Sequence, residues 1–328
     1  MDVDELRAGI AADHIAGVPA AVTRAALVRC GVTPAAADAE IAAAATSPYT
    51  RAGAYAQRTL QKREWNLSIQ HRLNKLLPDT VERRRTPSSA VFLRDYYTAN
   101  RPVIITGAME HWSARVLWNR AYFSDRFGDR MVDVQLGREA DSNYEINKAA
   151  HLRHVRFGDF VGRVYDTASS NDFYMIAAND SANRKSLAEL WNDIAPIPEY
   201  LDPHRDGGFL WLGPRGTITP FHHDLTNNFM AQVIGSKRLL LVPPCDTPCM
   251  HNHTHCFSEI DGREIDYGRF PDARGIKVMR GEIHPGDLLF LPVGWWHFVE
   301  ALGVSATLTF TNFRWDNDFY RDYPREWA

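Results

Sequence analysis

Asn228-Phe229-Met230-Ala231-Gln232-Val233-Ile234-Gly235-Ser236-Lys237-Arg238-Leu239-Leu240-Leu241-Val242 reads as two apolar strands separated by two turn residues. A two-residue loop carrying glycine between such runs predicts a β-hairpin. Working outward, short apolar runs bounded by turn signals recur at Pro102 to Thr106, Met131 to Leu136, Phe173 to Ala177, Phe209 to Leu212, Asp287 to Leu291 and Ala306 to Asn312. Many short strands of this kind indicate a β-sandwich or barrel. Helical stretches interrupt them around Trp118 to Phe127 and Phe157 to Tyr165.

The first 80 residues have a different grammar. Thr33-Pro34 pairs an N-cap residue with proline at the first helical position, leading into a helix over Ala35 to Ala45 that Ser47-Pro48 stops. A second helix is expected over Arg58 to Leu77, where Leu60, Trp65, Ile69, Leu73 and Leu77 recur at spacings that keep one face. The expected organisation is an N-terminal helical region over 1–80, a linker over 81–89 holding Arg83-Arg84-Arg85, and a mainly β domain over 90–328.

Thr219-Pro220-Phe221-His222-His223-Asp224 is the stretch that suggests chemistry. Side chains two apart on a strand share a face, so His222 and Asp224 can ligate one metal while His223 faces away. A His-x-Asp pair alone is weak, and His204-Arg205-Asp206 repeats the pattern elsewhere. A third ligand is offered by His297, which follows Gly294-Trp295-Trp296 at the end of a predicted strand. Two histidines and one carboxylate leave coordination positions open, the arrangement suited to non-haem iron(II) that also binds a cosubstrate and dioxygen. The chain has only six lysines, and one, Lys237, opens the strand after the Gly235-Ser236 turn. Cys245, Cys249, His251, His253, His255 and Cys256 form a second group of zinc-competent residues whose ordinary reading is a surface loop.

A formal net charge of -3 and a pI near 6.5 give no global reason to expect nucleic acid or an anionic membrane as partner. The acidic start, the absence of an apolar run of membrane length and four sparsely placed cysteines predict a cytoplasmic protein with reduced thiols. The preference for arginine over lysine and the alanine-rich start suggest a bacterial source.

Taken together, these motifs resemble the cupin-like Jumonji-C hydroxylases over roughly residues 90 to 315, with a pattern near that of the asparaginyl hydroxylase acting on the hypoxia-inducible factor. Thr219, His222 and Asp224 match the family's Thr-x-x-His-x-Asp segment, Lys237 its lysine thirteen residues after the aspartate, and His297 its distal histidine. The resemblance implies a double-stranded β-helix (jelly-roll) core with flanking helices. It also implies iron(II) on His222, Asp224 and His297, with 2-oxoglutarate and dioxygen as cosubstrates. Lys237, Tyr174 and Thr219 would then hold the distal carboxylate of 2-oxoglutarate, with Asn228 and Asn312 near its C1 carboxylate. The function implied is hydroxylation of a C–H bond on a protein, peptide or carrier-bound side chain, with homodimerisation known among relatives. N-methyl-lysine demethylation, small-molecule hydroxylation and metal binding without turnover are the alternatives.

Overall fold

The computed structural model describes residues 2–176, 180–204 and 207–324. The chain divides into two compact units, Met1–Leu73 and Asn74–Ala328.

In the first unit, α1 (Val3–Ala16), α2 (Ala20–Arg29) and α3 (Pro34–Thr46) surround a small core of Ile10, Leu27 and Ala37. The capping read from the sequence is present: Thr33 Oγ1 accepts the Ala36 amide at 3.3 Å, with Pro34 opening the helix. Ser47 ends α3, but α4 (Pro48–Asn74) begins at once, because a proline in the first turn lacks only an amide that would go unpaired there. The spaced apolar residues of α4 do not mark a buried face. Leu60, Trp65 and Leu73 are 47%, 64% and 52% exposed.

Among its described residues the second unit carries thirteen strands: β1 (Glu82–Arg85), β2 (Val103–Thr106), β3 (Met131–Leu136), β4 (Leu152–Arg156), β5 (Phe173–Tyr174), β6 (Phe209–Gly213), β7 (Ile218–His223), β8 (Asn228–Ile234), β9 (Lys237–Val242), β10 (Met279–Ile283), β11 (Asp287–Leu291), β12 (Trp296–Ala301) and β13 (Ser305–Phe310). They form a six-stranded sheet β1-β2-β11-β8-β13-β6, a four-stranded sheet β10-β9-β12-β7 and a three-stranded sheet β4-β3-β5. This is the expected mainly β, cupin-like core with helices around it.

Period-two patterning explains the layers. On β11, Leu289 and Leu291 enter a core shared with Leu239, Leu241 and Val299 of the four-stranded sheet. Leu288 and Phe290 face the other way, into the larger core with Phe92, Phe123 and Phe157. A strand buried on both faces shows no polar alternation, which is why Asp287–Leu291 reads as one continuous apolar run.

Two expectations change. β8 and β9 do not make a hairpin: β8 lies between β11 and β13, and β9 between β10 and β12, so Gly235-Ser236 carries the chain from one sheet to the other. Gly235 has φ 66°, and a Cβ there would overlap the Val304 carbonyl oxygen, so the corner leaves no room for a side chain. The segment expected as a linker also contains β1, which pairs in parallel with β2. Its arginines are engaged: Arg83 with Asp287 at 2.6 Å, Arg84 with the Tyr96 hydroxyl at 3.2 Å and Arg85 with Glu110 at 3.1 Å. Met175 continues β5 through an isolated bridge to Leu212, while Ala177 of that expected strand lies outside the described residues.

Candidate metal centre and cosubstrate pocket

β7 and β12 are paired neighbours, with His222 directly opposite His297. Alternation along β12 sends Trp296 and Phe298 outward, beneath Met250, Ile260 and Phe270, and turns His297 inward. One ligand atom each from His222, Asp224 and His297 lies within 4.8 Å of the others. Among the described residues this is the one gathering of three metal-competent side chains. The Cys245–Cys256 group does not converge: Cys245 is buried, its sulfur accepting from Asn74 Nδ2 at 3.2 Å, and Cys249 and Cys256 are half-buried. Of the alternative His204-Arg205-Asp206 pair, Arg205 and Asp206 lie outside the described residues.

Both histidines are set for ligation. His222 Nδ1 is 2.9 Å from the Pro220 carbonyl oxygen and His297 Nδ1 is 3.0 Å from that of Trp295. A carbonyl only accepts, so each Nδ1 carries the proton and each Nε2 keeps its lone pair for a metal. Burial, reinforced by neighbouring His222, pushes the His297 pKa well below its usual value and keeps the ring neutral. Asp224 Oδ2 accepts from Asn228 Nδ2 at 3.1 Å, and Oδ1 lies 3.8 Å from His222 Nε2. His223 faces away as expected, edge-on to Trp296 with ring centroids 4.7 Å apart.

Thr219 poses a problem for simple alternation, since three residues separate it from His222 and strict pleating would put the two on opposite faces. A bulge in β7 solves it. His222 pairs with His297 and Thr219 with Val299, so three steps on β7 match two on β12, and Thr219 returns to the inner face.

Residues 88–321 match the cupin-like domain family. The chain belongs to that family. It is 34% identical over 251 residues to the lysine-specific demethylase JMJ30 of Arabidopsis thaliana, covering 73% of this chain and 55% of the relative. It is 24% identical to the bifunctional peptidase and (3S)-lysyl hydroxylase JMJD7 of Homo sapiens, over 73% of this chain and 84% of the relative. Against the tRNA wybutosine-synthesizing protein 5 of Gallus gallus the identity is 26%, over 72% and 75%. The chain spans about half the length of the first of these relatives. They support the Jumonji-C cupin family as a whole, and the finer likeness to the asparaginyl hydroxylase stays with the sequence motifs.

The barrel holds a second polar cluster, around Lys237. Lys237 is 3% exposed, and its Nζ donates to the Tyr174 hydroxyl at 3.0 Å. Burial alone lowers its pKa to about 7, with no carboxylate offsetting it among the described residues. A buried cation lacking an anion fits an anionic ligand. Burial likewise raises the pKa of Tyr174, so its hydroxyl stays neutral and able to donate. The two asparagines are placed differently from each other. Asn228 orients Asp224 and keeps a buried Oδ1 without a partner, whereas Asn312 gives its Nδ2 to the Asp202 carbonyl at 3.0 Å and sits against Gly207.

The sequence reading missed three residues here. Trp211 lies with its ring 5.7 Å from that of Tyr174, Gln135 pairs opposite Tyr174 across β3 and β5, and Arg138 sits 5.2 Å from the Tyr174 ring centre. Only Arg138 carried any signal, as a charge following Gly137 directly after a strand.

Proposed function

We propose that the chain is an iron(II)- and 2-oxoglutarate-dependent oxygenase that hydroxylates a C–H bond on a protein or peptide side chain. The observation that carries this reading is the facial set His222, Asp224 and His297 in the same barrel as a buried, acid-free Lys237. The two histidines and the carboxylate suit iron(II) with positions left open, and Lys237, Tyr174 and Thr219 suit the distal carboxylate of a cosubstrate. Iron with 2-oxoglutarate and dioxygen supplies the oxidation: substrate C–H, 2-oxoglutarate and O2 become C–OH, succinate and CO2.

The protein positions and shields this chemistry. His222 and His297 present fixed Nε2 atoms, Asn228 holds one oxygen of Asp224, and Trp296 closes the outer side of the ligand strands. The lysyl hydroxylase and demethylase among the relatives favour a polypeptide substrate, and the net charge of -3 supports that over nucleic acid despite the tRNA-modifying relative. No helix among the described residues is long and apolar enough to cross a membrane. The sparse placing of Cys30, Cys245, Cys249 and Cys256 supports a reducing, cytoplasmic setting. Sedimentation of the chain tests the homodimer that the family resemblance implies.

The test is succinate formation that requires added iron(II) and 2-oxoglutarate, run beside anaerobic iron binding. Wild type should show both and Asp224→Ala neither. Succinate formation undiminished in Asp224→Ala ends this reading.

A further inference from the structure

Of the three metal ligands, Asp224 alone lies outside the strands. β7 ends at His223 and β8 begins at Asn228, whereas His222 and His297 face each other within a paired ladder. Strand pairing therefore fixes both imidazoles and leaves the carboxylate on the connection 224–227. Asn228 holds the Asp224 side chain by one oxygen, but the course of the backbone beneath it needs a support of its own.

That support comes from asparagine amides. The Asp224 carbonyl accepts from the Gly294 amide at 3.1 Å, and Asn227 Oδ1 accepts from the Val293 amide at 2.9 Å. These two bonds stitch the connection that carries Asp224 to the turn that feeds His297. Asn227 is 2% exposed, and one side chain clasps its backbone on both sides. Its amide donates to Asn317 Oδ1 at 2.7 Å, and its carbonyl accepts from Asn317 Nδ2 at 2.9 Å. The same Nδ2 donates to the Thr311 carbonyl at 2.9 Å, tying in the end of β13. From the other side Asn100 donates to the Val293 carbonyl at 3.0 Å and accepts the Trp295 indole N–H at 2.6 Å. Asn100 does so at φ 48°, a left-handed conformation that asparagine adopts more readily than most residues. At 317 the amide matters because it carries an acceptor and two donors on one short stem; a carboxylate there would keep the acceptor and turn an anionic oxygen on two carbonyls.

We infer that Asn227 and Asn317 are positioning residues of the metal centre, which set Asp224 relative to His222 and His297 so that the three ligand atoms close on one ion. This rests on the metal-dependent oxygenase reading. The two residues act through the backbone of Asp224 and through the turn before His297, and neither is a ligand. Adjacent asparagines thus divide the work: Asn228 orients the carboxylate, and Asn227 fixes the chain that bears it.

The fold supplies its own control. Asn183 clasps Asp133 of β3 in the same two-way manner, its Oδ1 accepting the Asp133 amide at 2.7 Å and its Nδ2 donating to the Asp133 carbonyl at 2.8 Å. β3 belongs to a different sheet from β7 and β12, so a purely structural role predicts like behaviour from Asn183→Ala and Asn317→Ala. Two anaerobic measurements separate them: iron(II) affinity by titration, and the visible absorption of the cobalt(II)-loaded chain, which reports the number and arrangement of ligands. Asn227→Ala and Asn317→Ala should each lower iron affinity about tenfold or more and alter the cobalt spectrum. Asn183→Ala should match wild type in both, whatever its Tm. Asn227→Asp keeps an oxygen for the Val293 amide and should return the spectrum towards wild type. Wild-type affinity and spectrum in Asn227→Ala and Asn317→Ala, an equal loss in Asn183→Ala, or identical spectra for Asn227→Ala and Asn227→Asp overturns the proposal. Failure of the Asn227 and Asn317 variants to fold, with Asn183→Ala folded, shows a structural role and overturns it as well. If wild type itself binds neither metal, the oxygenase reading falls and the positioning role falls with it.

Discussion

The two ends of the site are built on opposite principles. At the metal end every ligand is already braced: both imidazole Nδ1 atoms lie on backbone carbonyls and Asp224 is held by Asn228. At the cosubstrate end Lys237, Gln135 and Arg138 are buried with hydrogen-bonding or charge capacity left over. The difference teaches that the metal end is preorganised by local backbone, whereas the other end is completed by what binds there. Preorganised ligands keep their geometry without the ion, and an uncompensated cluster costs stability until its anion arrives.

The sharpest break of this contrast is at the metal end. Losing a partner that merely orients a ligand costs about 10–100-fold in metal affinity, so His222→Ala or His297→Ala should exceed that and leave substoichiometric iron by anaerobic titration. His223→Ala, on the outer face of the same strand, should keep full iron. The reverse result would reassign the ligands.

Next in size is Lys237→Ala, expected to weaken 2-oxoglutarate binding by about ten- to hundredfold while iron remains bound. Lys237→Arg should restore only part, because the guanidinium is bulkier and its fork differs in shape. Calorimetric titration gives both values, and an unchanged dissociation constant in Lys237→Ala would remove the anchor from this account. Asn228→Ala should come after that, lowering iron affinity about tenfold by freeing Asp224. Iron affinity equal to wild type would show that Asp224 needs no brace.

The smallest and most diagnostic effect is in pH. Lys237 falls from a usual lysine value of 10.5 to about 7 in the folded protein through burial. Below about pH 7 both folded and unfolded states hold the proton, and the burial penalty is complete. Between about 7 and 10.5 the unfolded state binds more protons, so this residue makes stability rise with pH across that window. A bound dicarboxylate should recharge Lys237, so binding at pH 8 takes up a proton, measurable as a buffer-dependent heat. Lys237→Met should abolish both signatures. Proton-neutral binding by wild type would mean that the lysine is charged before the ligand arrives.

Much of the metal end was legible because its logic is local. The spacing of His222 and Asp224 states that they share a face, and the aromatic neighbours Trp296 and Phe298 on either side of His297 mark the face opposite an inward histidine. Thr219 was legible only through resemblance, since the bulge that returns it to the inner face leaves no mark in strand alternation. Gln135, Trp211 and Arg138 were missed because their meaning depends on β3, β5 and β6 meeting around Tyr174, a tertiary fact. The same blindness turned Gly235-Ser236 into a hairpin: the turn chemistry was right, but a corner between sheets uses the same residues as a hairpin. In α4, apolar periodicity signalled burial where Trp65 stands 64% exposed.

That corner also bears on how the barrel comes into being. A hairpin would let β8 and β9 zip together early, closing a short loop at small entropic cost. Because they part at Gly235, β8 must wait for β11 and β13, and β9 for β10 and β12, all contributed by chain that follows much later. The pairing that creates the site is therefore non-local throughout, the regime in which folding is slow and incomplete chains expose unpaired strand edges. On a ribosome, the strand that begins with Lys237 would remain without a sheet partner until the residues around Met279 had emerged, and without its second until those around His297 followed.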